Sequence, residues 1–197
     1  MTPVYPCNAL SNPIRSLMKS LSKTLLVATA IALPFSAFAA HHKNHEVPMA
    51  NQLIVMSLGA AEDKVLQLAD AIPSSKYDYT PMEGVSNVGE VLMHLAGANY
   101  FIGSMLGHEV PEGINPRELG KDADKAAMIE IYKASVKHAK KAVKMVSADA
   151  MAEEIEFFGM TAPRGRLALI AADHQHEHLG QLIAYARANK IVPPWSE

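Results

Sequence analysis

The stretch from Leu167 to Tyr185, LALIAADHQHEHLGQLIAY, is the part of the sequence that decides the fold. Residues three and four apart along it are Leu167, Ala171, His174, His178, Gln181 and Tyr185. Such residues share one face of an α-helix, because each residue advances about 100° around the axis. The pattern predicts a helix whose core-facing side carries two imidazoles at positions where other bundle helices place Leu, Val or Ile.

Three further segments show the same apolar spacing and predict the remaining helices of a bundle. Their core-facing positions run over 54–72, 88–105 and 129–146. Segments rich in Pro and Gly, or in Ser, separate the four helices at 73–81, 107–120 and 147–163. We therefore predict an all-α four-helix bundle that occupies a single domain at residues 49–197.

The sequence also predicts the structure of two connecting segments. The connection at 107–120 is long for adjacent antiparallel helices, so it is expected to cross the end of the bundle. Within the third connection, residues 155–158 are expected to form a short extended piece or a hydrophobic flap.

Residues 1–39 have the pattern of a secretory signal peptide. Lys19 and Lys23 precede an apolar run, Pro34 ends it, and the small-x-small sequence at 37–39 suits signal peptidase. Met18 is a more natural start than Met1. The apolar run is short for a bilayer span, so we expect cleavage, no stable membrane span afterwards, and a periplasmic or secreted protein.

The composition excludes two classes of function. The formal net charge is −2, with Lys and Arg scattered, which gives a nucleic-acid partner no electrostatic support. The single cysteine, Cys7, lies in the predicted signal. The mature chain therefore lacks a disulfide, a thiolate ligand and a cysteine nucleophile.

Residues 40–48 form a polar linker that contains histidines. Cleavage after Ala39 would place the amine of Ala40 two residues before His42, and such a set suits Cu(II) or Ni(II). His41 and His45 add donors. The alternative is a disordered polar linker without bound metal.

The strongest candidate ligands are His174 and His178. They lie about 40° apart on one helix face, so both imidazoles can reach one ion. A core histidine that is simply hydrogen-bonded is the competing interpretation. His94 on the second helix lies beside the apolar face and is the obvious third donor, whereas His176 should point away.

Other polar residues near these histidines are weaker candidates. His108 lies in the long connection, and His138 is expected on a solvated face of the third helix between Lys137 and Lys140. Glu90 is one turn before His94 and is a weak candidate for a fourth ligand or general base; the Asn87-x-x-Glu90 spacing favours a helix cap instead.

Gly180 and Gln181, which follow His178 in the sequence, are expected to support the packing or the site. Gln181 lies one turn after His178, where it would hydrogen-bond either to that ligand or across to another helix. Gly180 is expected to permit a close approach of helices.

The chain resembles the DinB family of metalloenzymes in a set of short motifs that keep their order and spacing. The motifs are Tyr79-Thr80-Pro81, the stretch Ser86–Ala96, Asp173-His174, His178-Leu179-Gly180-Gln181, and Ile191-Val192-Pro193-Pro194-Trp195. The resemblance implies an up-down-down-up bundle with a long connection between helices 2 and 3. It also implies one divalent ion, such as zinc, nickel, iron or manganese, on His94, His174 and His178.

Three functions follow as hypotheses. The first is a metal-dependent hydrolase or transferase acting on a small molecule; family members that use low-molecular-weight thiols suggest a thiol reaction, but export argues against it. The second is a non-catalytic divalent-metal-binding or stress-related bundle. The third, a haem bundle, lacks the C-x-x-C-H motif and needs a larger apolar cavity. A homodimer is left open.

Overall fold

The computed structural model describes residues 46–196. The predicted signal at 1–39, the start at Met18 and the histidines His41, His42 and His45 lie outside the described residues. Within 46–196, none of the helices combines the length and the apolar character that crossing a bilayer requires.

Four long helices, one short helix and one β-hairpin make up the described chain. They are α1 (Met49–Ala71), α2 (Val88–Met105), α3 (Lys125–Met145), α4 (Ala148–Ala152), β1 (Glu154–Phe157), β2 (Met160–Pro163) and α5 (Arg164–Ala188), with 3-10 turns at Ser74–Lys76 and Pro194–Ser196. The predicted helical bundle is confirmed, with α1, α2, α3 and α5 as its long helices. The predicted extended piece corresponds to β1, which pairs antiparallel with β2.

Helices α1 and α3 lie antiparallel, because each caps the end of the other. The amide of Asn51, at the start of α1, donates to the carbonyl of Val143 near the end of α3 at 2.6 Å. The ammonium of Lys125, at the start of α3, donates to the carbonyl of Ile72 just after α1 at 2.8 Å. These bonds satisfy carbonyls that a helix end leaves unpaired.

Helices α2 and α3 run side by side in the same direction. Gly89, early in α2, faces Met128 early in α3, and Gly103, late in α2, faces His138 late in α3. Parallel neighbours need a connection that returns along the bundle, which explains the long segment after α2. Helix α5 runs opposite to α2, since the hydroxyl of Tyr185 near its end donates to the carbonyl of Ser86 before α2.

The apolar core consists of two clusters, and the bundle also contains a buried polar layer. Tyr132 Oη donates to Gln175 Oε1 at 2.7 Å, and Gln175 Nε2 donates to Asn99 Oδ1 at 2.9 Å. Asn99 Nδ2 donates to Ser135 Oγ at 3.0 Å, and Ser135 Oγ donates back to the Tyr132 carbonyl. This network joins α2, α3 and α5 and fixes the rotation of α5 beside His174.

Candidate metal centre

Helices α2 and α5 bring His94, His174 and His178 into one cluster. One nitrogen from each ring lies within 4.8 Å of the other two. The ring centroids are 4.9 Å apart for His94 and His174, 4.8 Å for His94 and His178, and 4.5 Å for His174 and His178. Nitrogen ligands lie about 2.0–2.1 Å from a bound zinc, so a small movement of the rings brings all three to one ion.

His174 has the environment of a ligand rather than of a satisfied core histidine. Its Nε2 atom is buried without a hydrogen-bond partner among the described residues. Its Nδ1 atom is 4.0 Å from the Glu177 carboxylate, which is too far for a hydrogen bond. Burial, with the nearby His178 and then His94, lowers the pKa of His174 to about 4. The ring is therefore neutral at pH 7 and fits a metal ion.

His178 is oriented by a chain of hydrogen bonds along α5. Its Nδ1 atom lies 2.7 Å from Gln181 Oε1, and Gln181 Nε2 donates to Tyr185 Oη at 2.8 Å. Tyr185 Oη donates to the carbonyl of Ser86 at 3.1 Å. Of the two roles left open for Gln181, the hydrogen bond to His178 is present, and Tyr185 extends the chain to the segment before α2.

His94 completes the cluster from α2, at the edge of solvent. Burial lowers the pKa of His94, and the neighbouring His178 lowers it further, so this ring is also neutral at pH 7. A set of three imidazoles leaves coordination positions open on a divalent ion, as in catalytic sites.

Glu90 is engaged in a capping box at the start of α2. Its Oε2 atom accepts from the backbone N–H of Asn87 at 2.8 Å, and Asn87 Oδ1 accepts from the Glu90 N–H at 2.8 Å. The helix-cap interpretation of this spacing is confirmed. One carboxylate oxygen of Glu90 is thus held by the backbone, one turn from His94.

The expectation that His138 lies on a solvated face is wrong. Its side chain is buried against Tyr100 and stacks on His108, with ring centroids 4.5 Å apart. The space for it comes from Gly103, where a Cβ would lie 2.6 Å from His138 Nε2. Neither His108 nor His138 joins the cluster. His176 points away, and its Nδ1 lies 2.9 Å from the Ala172 carbonyl.

The expectation for Gly180 is also wrong. A Cβ at Gly180 would meet no atom of residues 46–196 within 4 Å, so no helix of this part of the chain approaches it closely. A close backbone approach occurs instead at Gly97 in α2, where a Cβ would lie 2.6 Å from the carbonyl oxygen of Pro116 in the long connection.

A large cavity opens beside the cluster, and most of its lining was not foreseen from the sequence. It has a volume of about 1010 Å³ and includes His94 and His174 in its wall. Arg117 of the long connection and Phe158 of the hairpin also line it. No local pattern marks these two residues, because they reach the cavity only through the folding of connecting segments.

Comparison with known proteins identifies a family for this chain and several structures of similar fold. A family profile described as the DinB superfamily matches residues 57–182. A DinB-like protein from Bacillus subtilis is similar in structure, with a TM-score of 0.57 and 19% identity over 71% of this chain and 93% of that one. A conserved protein from Enterococcus faecalis is also similar in structure, with a TM-score of 0.59 and 19% identity over 70% of this chain and 95% of that one.

A DinB-like protein from Bacillus cereus has a TM-score of 0.62 at 16% identity, covering 73% of this chain and 95% of its own. At these identities the likeness concerns the fold. The search of curated proteins finds no match. The family profile spans more than half of the chain, and the chain therefore belongs to the DinB superfamily.

Proposed function

We propose that this chain is an exported metal-binding protein that holds one divalent ion on His94, His174 and His178. The observation that carries the proposal is the Nε2 atom of His174, which is buried in a cluster of three imidazoles and has no hydrogen-bond partner within residues 46–196. A buried polar atom without a partner costs about 1–3 kcal/mol, and ligation removes this cost. Zinc, nickel, iron and manganese are the candidate ions.

We propose further that the centre is catalytic and acts as a hydrolase or transferase on a small molecule. A divalent ion with open positions supplies Lewis-acid chemistry when bound. The cavity beside the cluster supports this function, because His94 and His174 form part of its wall and a molecule bound there would lie next to them. The cavity-lining residues of α2 and α5 would hold the substrate.

One observation favours a second candidate, a non-catalytic divalent-metal-binding or stress-related protein. The carboxylate of Glu90, the acidic residue in the cavity wall, accepts the capping hydrogen bond from Asn87. A general base next to the cluster is therefore not freely available from this residue.

Turnover by matched histidine variants distinguishes the two candidates. The full chain is expressed without a tag, stripped, and reloaded with each of the four ions. It is then assayed with ester, amide and thiol-transfer substrates. Wild type and His176→Ala should turn over a substrate, and His174→Ala should not. His176 is the control because it lies on the same helix and points away.

Equal turnover by wild type and His174→Ala would contradict a catalytic role for the centre. Bound metal without turnover on any substrate would favour the non-catalytic candidate.

Export is proposed from the pattern at 1–39 alone. The protein recovered from the periplasm or the medium should begin at Ala40 when its terminus is sequenced. Recovery only from the cytoplasm with the terminus intact would contradict export.

A further inference from the structure

The cavity beside the histidine cluster has three different walls. Helix α2 and Ile170 of α5 supply an apolar wall next to His94 and His174. The long connection supplies a second wall, at Asn115, Pro116, Arg117 and Leu119. The tip of the β-hairpin supplies the third, at Phe158. A mostly apolar cavity with a few polar groups is the usual form of a small-molecule site.

The wall formed by the long connection is firmly held. Asn115 to Glu118 form a turn with Pro116 in its second position, in which the Glu118 N–H donates to the Asn115 carbonyl at 3.1 Å. The Arg117 N–H donates to Asn115 Oδ1 at 3.1 Å. The Pro116 carbonyl lies against Gly97 of α2, where a Cβ would be only 2.6 Å away. The backbone of Arg117 is thus fixed at the cavity.

Arg117 is exposed, and it also lines a second, smaller cavity together with Asp78, Glu118 and Lys121. Within residues 46–196, no carboxylate lies within 4.0 Å of the Arg117 guanidinium and no hydrogen bond engages it. Glu90 supplies the carboxylate of the cavity wall, and one of its oxygens is held by the capping box. A guanidinium beside an apolar cavity is a donor set for a carboxylate or another oxyanion.

Two phenyl rings also line the cavity. Phe101 of α2 and Phe158 have ring centroids 5.9 Å apart, and they are 45% and 58% exposed. Phe158 has φ of 48° and Gly159 has φ of 74°, as a two-residue hairpin turn requires. Positive φ is unfavourable for a bulky residue, so the hairpin presents the Phe158 ring at a conformational cost.

We propose that the cavity binds an amphipathic organic acid. Its apolar, aromatic body packs against Phe101 and Phe158, and its anionic group binds the guanidinium of Arg117. The other end of the molecule then lies toward His94 and His174. This inference deepens the proposed function, on which it rests for any chemistry, by naming the substrate class.

Two fluorescent probes that share an aromatic frame test the inference by binding alone. Anilinonaphthalene sulfonate carries the anionic group, and phenylnaphthylamine lacks it. Each is titrated into wild type, Arg117→Gln, the control Arg187→Gln and Phe158→Ser, with the protein both zinc-loaded and metal-free. Arg187 is an exposed residue in the last turn of α5, so its variant removes the same charge elsewhere.

Wild type should bind the sulfonate roughly tenfold more tightly than the amine, as expected of one charge-assisted hydrogen-bonded pair. Arg117→Gln should remove this preference and leave the amine affinity unchanged, in both metal states. Arg187→Gln should behave as wild type. Phe158→Ser should weaken both probes equally.

Three outcomes would overturn the inference. One is an unchanged sulfonate preference in Arg117→Gln, and another is no saturable binding of either probe to wild type. The third is a sulfonate preference that appears only with zinc and does not depend on Arg117; it would place the anion on the metal and support the proposed centre. Failure of the metal centre itself would appear separately, as equal probe binding with and without zinc and no zinc retained.

Discussion

The Nδ1 atom of His178 lies 2.7 Å from the side-chain oxygen of Gln181, one turn later in α5. Gln181 donates through Nε2 to the hydroxyl of Tyr185, so its oxygen is the acceptor toward His178. Nδ1 of His178 therefore carries the proton, as assigned from this hydrogen-bond network, and Nε2 carries the lone pair. A histidine ligand held in one tautomer by such a partner is the common arrangement in metal sites.

Removing this partner should weaken metal binding without unfolding the protein. Gln181→Leu is expected to lower the zinc affinity roughly 10–100-fold, because His178 loses the acceptor that fixes its tautomer. Competition with a chromophoric chelator measures the affinity. Gln67→Leu, on the exposed side of α1, is the control and should bind as wild type. An unchanged affinity in Gln181→Leu would show that the hydrogen bond does not orient a ligand.

Conservative replacement of Glu90 separates its capping role from a role at the metal. Glu90→Gln keeps a side chain that can complete the capping box, so its unfolding free energy should stay within about 0.5 kcal/mol of wild type. Its metal content should also be unchanged. Asn87→Ala removes the cap acceptor and should cost about 1 kcal/mol in urea unfolding. Loss of metal in Glu90→Gln would instead identify Glu90 as a ligand.

Two glycines on different helices should respond to alanine with opposite signs. Gly180 is in α5 with open space around it, so Gly180→Ala should raise the unfolding free energy by about 0.5–1 kcal/mol. Gly97→Ala should lower it, because the new Cβ would lie 2.6 Å from the Pro116 carbonyl. Thermal or urea unfolding measures both. A destabilised Gly180→Ala would indicate a contact at this face.

The sequence predicts the periodic parts of this protein and misses the parts that depend on distant contacts. The spacing of His174 and His178 places them on one face, and the spacing of Asn87 and Glu90 predicts the cap; both relations are local to one helix. His138 was misplaced because its burial depends on a missing side chain at Gly103, which lies 35 positions earlier. Arg117 was missed because only the folded connection brings it to the cavity.

The buried polar layer shows the same limit. Gln175 lies next to His174 in sequence, and its partners Tyr132 and Asn99 come from two other helices. No periodicity within α5 distinguishes such a glutamine from a tolerated polar residue, since its burial is set by the packing of three helices.

The metal-free protein should lose stability as the pH falls. The pKa of His174 is lowered from 6.5 to about 4, and burial also lowers the pKa of His138. Between these pH values the unfolded chain binds more protons than the folded one, so the free energy of unfolding decreases from about pH 6.5 toward about pH 4. Urea unfolding in the presence of a chelator, at stepped pH, measures this decrease.

His174→Gln is the variant that assigns the effect. It should show a shallower pH dependence than wild type, with the remaining slope including the contribution of His138. An identical slope in wild type and His174→Gln would contradict a lowered pKa at His174.

Metal analysis of the protein obtained by expressing the full chain without a His tag tests the central claim most directly. It compares wild type, His176→Ala, and a variant with alanine at His94, His174 and His178. Wild type and His176→Ala should each retain about one divalent ion per chain, and the triple variant none. Equal metal in all three proteins would contradict the three-histidine centre and direct attention to His41, His42 and His45.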